Sequence, residues 1–135
     1  QDKNLRMKQE ENYTNRIFFF DSYAFFEIIK GNKNYEKYTN ASIVTTKLNL
    51  FELYNGTLEI LGEEIADVIL GKYYEFVTDF DQDIIKEAAK LRIIMKKRNV
   101  SMTDCIGYIL SKQLGIKFLT GDKEFENLEN VEFVK

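Results

Sequence analysis

The chain contains no histidine, proline or tryptophan, and only one cysteine in 135 residues. Without histidine there is no Ser-His-Asp triad, no Cys-His pair, no HExxH zinc site and no imidazole base. A lone Cys105 forms no internal disulfide, which fits a reducing compartment, and with no histidine beside it gives no zinc cluster. Any metal bound by this chain is therefore a hard cation held by oxygen, chiefly Mg²⁺ or Mn²⁺. No apolar run is long enough to span a bilayer, and no charged-then-apolar leader opens the sequence, so a cytoplasmic location away from membranes is expected. The net charge of -3 argues against broad electrostatic attraction to nucleic acid while leaving room for a local basic patch.

What remains is an ordinary globular composition, 44% hydrophobic and 30% charged, of a length suited to one domain with a proper core. Residues 1–15, "QDKNLRMKQEENYTN", are polar and aperiodic and are expected to form a mobile tail, leaving 16–135 as the folded domain. "RIFFFD" suits a buried strand broken by Asp21, and "SYAFFEIIK" has helical spacing with Gly31 as a stop. "NYEKYT" suits a short helix and "SIVTT" a strand. "KLNLFELYNGTLEIL" predicts a helix whose face carries Leu50, Phe51, Tyr54, Leu58 and Leu61. "EFVTDF" suggests a third strand, "DQDIIKEAAKLRIIMKKR" a long helix, "SMTDCIGYILSKQLG" another, and "IKFLT" and "NVEFV" the closing strands. Strands alternating with helices imply right-handed crossovers and a mainly parallel sheet covered on both faces.

Ligands on such sheets bind beyond the carboxyl ends of the strands. Asp21 and Asp122 each follow a strand directly, and Asp104 opens a helix that can start at the same edge. Each also has an ordinary explanation as a cap: Asp21 for its helix, Asp104 through the capping-box variant "SMTD", and Asp122 for the "KEFENL" turn. Glu52 lies off the apolar stripe of its helix, so periodicity alone reads it as solvated. Taken together the acids matter more, because two unit charges about 4 Å apart repel by about 4 kcal/mol at the effective dielectric of a protein surface. Converging carboxylates are costly without a cation, and with one they suit phosphodiester chemistry.

The ordered pattern "FFFDSYAFFEI", "LNLFELYNG" and "SMTDCIGYILSKQLGIKFLTGDKEF" resembles the PIN domains, including the VapC-type ribonuclease toxins of toxin–antitoxin pairs. The likeness runs from Arg16 onward. It implies a three-layer α/β/α sandwich and Mg²⁺- or Mn²⁺-dependent cleavage of RNA. Asp21, Glu52, Asp104 and Asp122 would form the catalytic and metal-binding pocket, with Ser22 and Thr120 orienting its carboxylates or waters. It further implies a small antitoxin protein as partner and a homodimer. "LEILGEEIADVIL" reads equally as a surface for that dimer and as an internal helix.

Rival readings are weaker. "TDFDQDI" lacks the glycine and glutamate of a calcium loop, having Ile84 and Lys90 at those positions. A haloacid-dehalogenase-like phosphatase needs a second acid where Tyr23 stands. A catalytically silent PIN-like binding module keeps the fold and works through a protein or RNA partner. "KKR" at 96–98, with Lys30, Lys33 and Lys37, offers phosphate contacts or plain helix-end charges. Tyr23, Phe25 and Tyr108 read first as core and second as stacking surfaces. Gly107 and Ser111 suggest close helix packing beside Asp104. Asp104 also disfavours a thiolate at Cys105.

Overall fold

The computed structural model describes residues 16–135, so the expected tail at 1–15 lies outside the described residues. Four short strands form one sheet: β1 (Ile17–Phe20), β2 (Ser42–Val44), β3 (Lys117–Thr120) and β4 (Val131–Phe133). Their order is β2-β1-β3-β4 and every pairing is parallel. Five helices accompany them: α1 (Ser22–Ile29), α2 (Lys47–Leu61), α3 (Glu63–Tyr73), α4 (Gln82–Ile94) and α5 (Met102–Leu114). Short 3₁₀ turns cover Lys33–Asn40, Tyr74–Phe76 and Lys123–Phe125.

The run of phenylalanines in β1 follows from this layering. Side chains alternate across a strand, so Phe19 packs on one face with α4 and α5, while Phe18 and Phe20 pack on the other with α1, α2 and α3. β3 repeats the division, with Phe118 joining Phe19 and Leu119 joining the opposite core. A strand buried on both faces needs no polar alternation. α5 lies close on β1 because Gly107 has no side chain: a Cβ there would stand 2.6 Å from the Phe19 ring and 3.2 Å from that of Phe118. Ser111, one turn further on, is fully buried and returns its hydroxyl to the Tyr108 carbonyl at 2.6 Å.

Three readings of the sequence need correction. "EFVTDF" is not a strand of the sheet. It contributes a single parallel bridge, Val77 to Thr45, after the 3₁₀ turn at Tyr74–Phe76. The buried face of α2 is Asn49, Leu50, Leu53 and Thr57, whereas Phe51 is 71% exposed and Leu58 and Leu61 lie outside the core. Two polar residues on the inner face displaced the apparent apolar stripe. "LEILGEEIADVIL" is not one helix, since Gly62, at φ +89, ends α2 and starts α3. Asp81, from the rejected calcium-loop stretch, caps α4 by accepting from the Ile84 amide at 3.1 Å. Among the described residues, no helix is long and apolar enough to cross a membrane.

Candidate active site

Adjacent β1 and β3 end together, and their exits set the first part of the site. Phe20 pairs with Leu119, so Asp21 leaves β1 beside Thr120, the last residue of β3. The Asp21 side chain is buried, caps α1 through the Ala24 amide at 2.9 Å, and is hydrogen-bonded by Thr120. The Thr120 hydroxyl also accepts from the Asp122 amide at 3.1 Å. Thr120 therefore fixes two acids at once. Asp122 in turn caps the Lys123–Phe125 turn by accepting from Glu124 at 3.0 Å.

Asp104 stands in the first turn of α5. Ser101 accepts from the Asp104 amide at 3.1 Å, and the Asp104 carboxylate accepts from the Ser101 amide at 3.0 Å, completing the capping box that "SMTD" suggested. Glu52 projects from α2 and is half-buried, not solvated. Its position reflects a relay unseen in the sequence. Thr46 donates to the Asn49 side-chain oxygen at 2.6 Å, the Asn49 amide donates to the Ser22 hydroxyl at 3.3 Å, and Ser22 donates to Glu52 at 2.5 Å. Thr46 and Asn49 are both buried. The available sequence signal was Asn49, three residues before Glu52 and so on the same helix face.

Asp21, Glu52 and Asp104 each feel at least one neighbouring carboxylate. Burial pushes the Asp21 carboxyl up to about 8, against the hydrogen bonds from Thr120 and Ala24, and Asp104 and Asp122 raise it further. Burial raises Asp104, with Asp122 adding to the effect, while its bonds with Ser101 oppose it. Burial raises Glu52 as well, with Asp104 adding and the Ser22 bond opposing. Among the described residues, no lysine or arginine contributes to easing any of the three. Four elements thus deliver mutually repelling carboxylates to one sheet edge.

As they stand, among the described residues, no group of three or more His, Cys, Asp or Glu side chains is set to grip a metal ion directly. Asp21, Asp104 and Asp122 each also accept a backbone amide through one carboxylate oxygen, leaving the other free of that bond. The donor set still fits a hard cation, since Mg²⁺ keeps several waters and takes only one or two protein carboxylates, and buried acids without a cation are unfavourable.

Other candidates resolve plainly. Cys105 is buried, and burial first and Asp104 second push its thiol up to about 11, so it carries no nucleophile. Phe25 and Tyr108 are core residues, and Tyr108 donates to the Glu129 carbonyl at 2.7 Å. Tyr23 is the exception, partly exposed beside Gly121. Lys30 pairs with Glu27 at 3.7 Å, and Arg98 bonds the Glu124 carbonyl at 2.8 Å.

Known proteins share this fold. The PIN domain family profile matches residues 18–131. No curated protein sequence matches the chain. Among solved structures, a toxin–antitoxin complex from Klebsiella pneumoniae superposes with a TM-score of 0.67 at 17% identity, covering 84% of this chain and 94% of that one. Mycobacterium tuberculosis VapC20, a sarcin–ricin loop cleaving toxin, gives 0.73 at 15% identity, covering 87% and 99%. VapBC2 from Rickettsia felis, bound to a DNA fragment from its promoter, gives 0.66 at 16% identity, covering 88% and 99%. At such identities the likeness is one of fold.

Proposed function

The chain belongs to the PIN-domain family, and from that premise we propose that it is a metal-dependent endoribonuclease, the toxin of a toxin–antitoxin pair. The observation that carries this reading is the acid cluster: Asp21, Glu52 and Asp104 are all raised by burial and by neighbouring carboxylates, with no cationic side chain among the described residues offsetting them. A divalent cation offsets the repulsion in such a cluster and lets its carboxyls ionise where a bound proton otherwise relieves it.

Asp21 and Asp104 would hold Mg²⁺ or Mn²⁺ most directly, with Glu52 and Asp122 engaging a second ion or bound waters. The cation, when bound, supplies activation of water and charge stabilisation at phosphorus. The chain's own residues do the positioning. Thr120 holds Asp21 and the Asp122 amide together. Ser22, fed by Asn49 and Thr46, fixes the Glu52 carboxylate. Ser101 fixes Asp104 at the positive end of α5, which favours its ionised form. No histidine is required.

The partners in this reading are RNA as substrate, a small antitoxin, and a second copy of the chain. The solved toxin–antitoxin complexes of similar fold support the antitoxin. A silent binding module of the same fold is the rival, favoured by the carboxylates being engaged as caps.

Cleavage of end-labelled single-stranded and structured RNAs, with Mg²⁺, Mn²⁺ or EDTA, tests the proposal beside Asp104→Asn. Metal-dependent cleavage that vanishes in the variant is expected. Equal activity in both proteins removes the assignment, and a folded wild type that cleaves nothing favours the binding module.

A further inference from the structure

The exit of β4 brings a cation to the edge that holds the acids. β4 runs parallel to β3, so the chain leaves it on the side where β1 and β3 release Asp21 and Asp122. Three bonds pin this exit: the Val134 amide donates to the Thr120 carbonyl at 2.9 Å, the Tyr35 hydroxyl to the Val134 carbonyl at 2.6 Å, and the Asn34 side-chain amide to the Lys135 carbonyl at 3.0 Å. The Lys135 ammonium then donates to the Gly121 carbonyl at 3.5 Å and stands 5.9 Å from the centre of the Tyr23 ring. Lys30, Lys90, Arg98 and Lys112 are paired with carboxylates, whereas Lys135 forms no salt bridge among the described residues. Tyr23 is partly exposed, and among the described residues its hydroxyl makes no hydrogen bond. Burial first, then the charges of Glu27, Asp21 and Asp122, raise that phenol, so it remains a donor beside the acids.

We propose that the Lys135 ammonium and the Tyr23 hydroxyl clamp one backbone phosphate of single-stranded RNA at the rim of the acid pocket, next to the phosphate that is cut. The choice of RNA rests on the ribonuclease reading above. A metal among the acids attracts the reacting phosphate, but the phosphates on either side of it meet carboxylates and are repelled. A cation with no carboxylate partner and a neutral donor at the rim reverse that sign for one of them. A phosphate has oxygens enough to accept from both, and lysine binds phosphate as a point charge. Base stacking on Tyr23 suits the surroundings less well. Lys135 stands over the ring, and the Tyr35 ring lies beside it with centres 6.4 Å apart. Gly121 serves the clamp directly, because a Cβ there would push against Tyr23 and its carbonyl holds Lys135.

The test separates binding from cleavage. The full chain carrying Asp104→Asn, which keeps the RNA intact, is titrated into a labelled single-stranded RNA across a range of salt, with and without Mg²⁺, and followed by fluorescence anisotropy. Adding Lys135→Gln is expected to weaken binding about tenfold and to lower the slope of log affinity against log salt by about 0.7, the share of one single-strand phosphate. Lys135→Arg should keep both. Lys117→Gln removes the same charge at the opposite end of β3 and should change neither. Tyr23→Phe keeps the ring against Gly121 and should cost about threefold. With Asp104 restored, the loss is expected in KM rather than kcat. A slope unchanged by Lys135→Gln overturns the clamp, as do an equal loss in Lys117→Gln, a loss confined to kcat, and RNA that binds under neither condition. The two readings also fail separately. Cleavage indifferent to Lys135→Gln removes the clamp and keeps the nuclease, whereas Lys135-dependent binding without cleavage removes the nuclease and keeps the clamp.

Discussion

Ser22 donates its hydroxyl to the Glu52 carboxylate at 2.5 Å, joining the first residue of α1 to the middle of α2. The same oxygen accepts from Asn49. Removing it by Ser22→Ala frees Glu52 to rotate and leaves the buried Asn49 amide without that partner. Loss of a group that orients a ligand typically lowers metal affinity or activity by roughly 10–100-fold. An orphaned buried donor costs about 1–3 kcal/mol. Mn²⁺ titration of cleavage and urea unfolding should show both losses. An unchanged metal dependence would remove Ser22 from the site.

Asp21 makes stability depend on pH in a direction opposite to that of most carboxylates. Its folded value of about 8 exceeds the ordinary 3.8, so between those limits the folded chain keeps a proton that the unfolded chain releases. Without metal, stability therefore falls as pH rises from about 4 to 8, at up to roughly 1.4 kcal/mol per pH unit for this one group. Glu52 and Asp104 are raised too and act in the same sense. Asp21→Asn retains an acceptor for the Ala24 amide and should flatten the slope while abolishing cleavage. Mg²⁺ favours the ionised form and should flatten the slope in wild type. Melting temperature against pH, with and without Mg²⁺, decides the matter; an unaltered slope in the variant contradicts the assignment.

Three of the four acids were legible because they coincide with punctuation. Asp21 breaks an apolar run, Asp104 completes S-x-x-D before a helix, and Asp122 follows a strand, so element boundaries placed them along one edge. Glu52 was different. It sits inside α2, where a period-3.6 count of apolar residues selects Leu50, Phe51, Tyr54, Leu58 and Leu61, of which Leu50 is buried but Phe51, Leu58 and Leu61 are exposed. The face that packs is part polar: Asn49 is buried to serve Ser22, and Thr57 to bond the Leu53 carbonyl at 2.8 Å. Hydrophobic periodicity has no term for buried polar relays, so Glu52 reached the pocket only through family likeness. "EFVTDF" failed for the opposite reason. Its composition suits a strand, but only Val77 finds a bridge partner, at Thr45 beyond the end of β2.

Gly107 and Gly71 offer a paired test of packing. A methyl at Gly107 meets the Phe19 ring at 2.6 and 2.9 Å, in a core with little room to yield. Gly107→Ala should cost about 1–3 kcal/mol. Gly71 lies in α3 with nothing within 4 Å of an added Cβ, so Gly71→Ala should stabilise by roughly 0.5–1 kcal/mol. Chemical denaturation of both variants would test the close approach of α5 to β1; a neutral Gly107→Ala would contradict it.

Gly121 connects packing to the acid pocket most directly. A Cβ at this position meets the Tyr23 ring on one side and the Val134 carbonyl on the other. The ring can swing aside. The carbonyl is less free, because the neighbouring Val134 amide donates to Thr120 at 2.9 Å and the Tyr35 hydroxyl bonds the carbonyl itself at 2.6 Å. Relief must therefore come from the 120–122 backbone, which carries Asp122 and its bond to Thr120. Gly121→Ala is expected to cost about 1–3 kcal/mol and to reduce cleavage strongly. Tyr23→Ala in the same chain should restore only part of the stability, because the clash with the carbonyl persists. Full rescue by Tyr23→Ala would make the ring the sole obstacle, and an unaffected Gly121→Ala would show that the 120–122 turn tolerates displacement without disturbing Asp122.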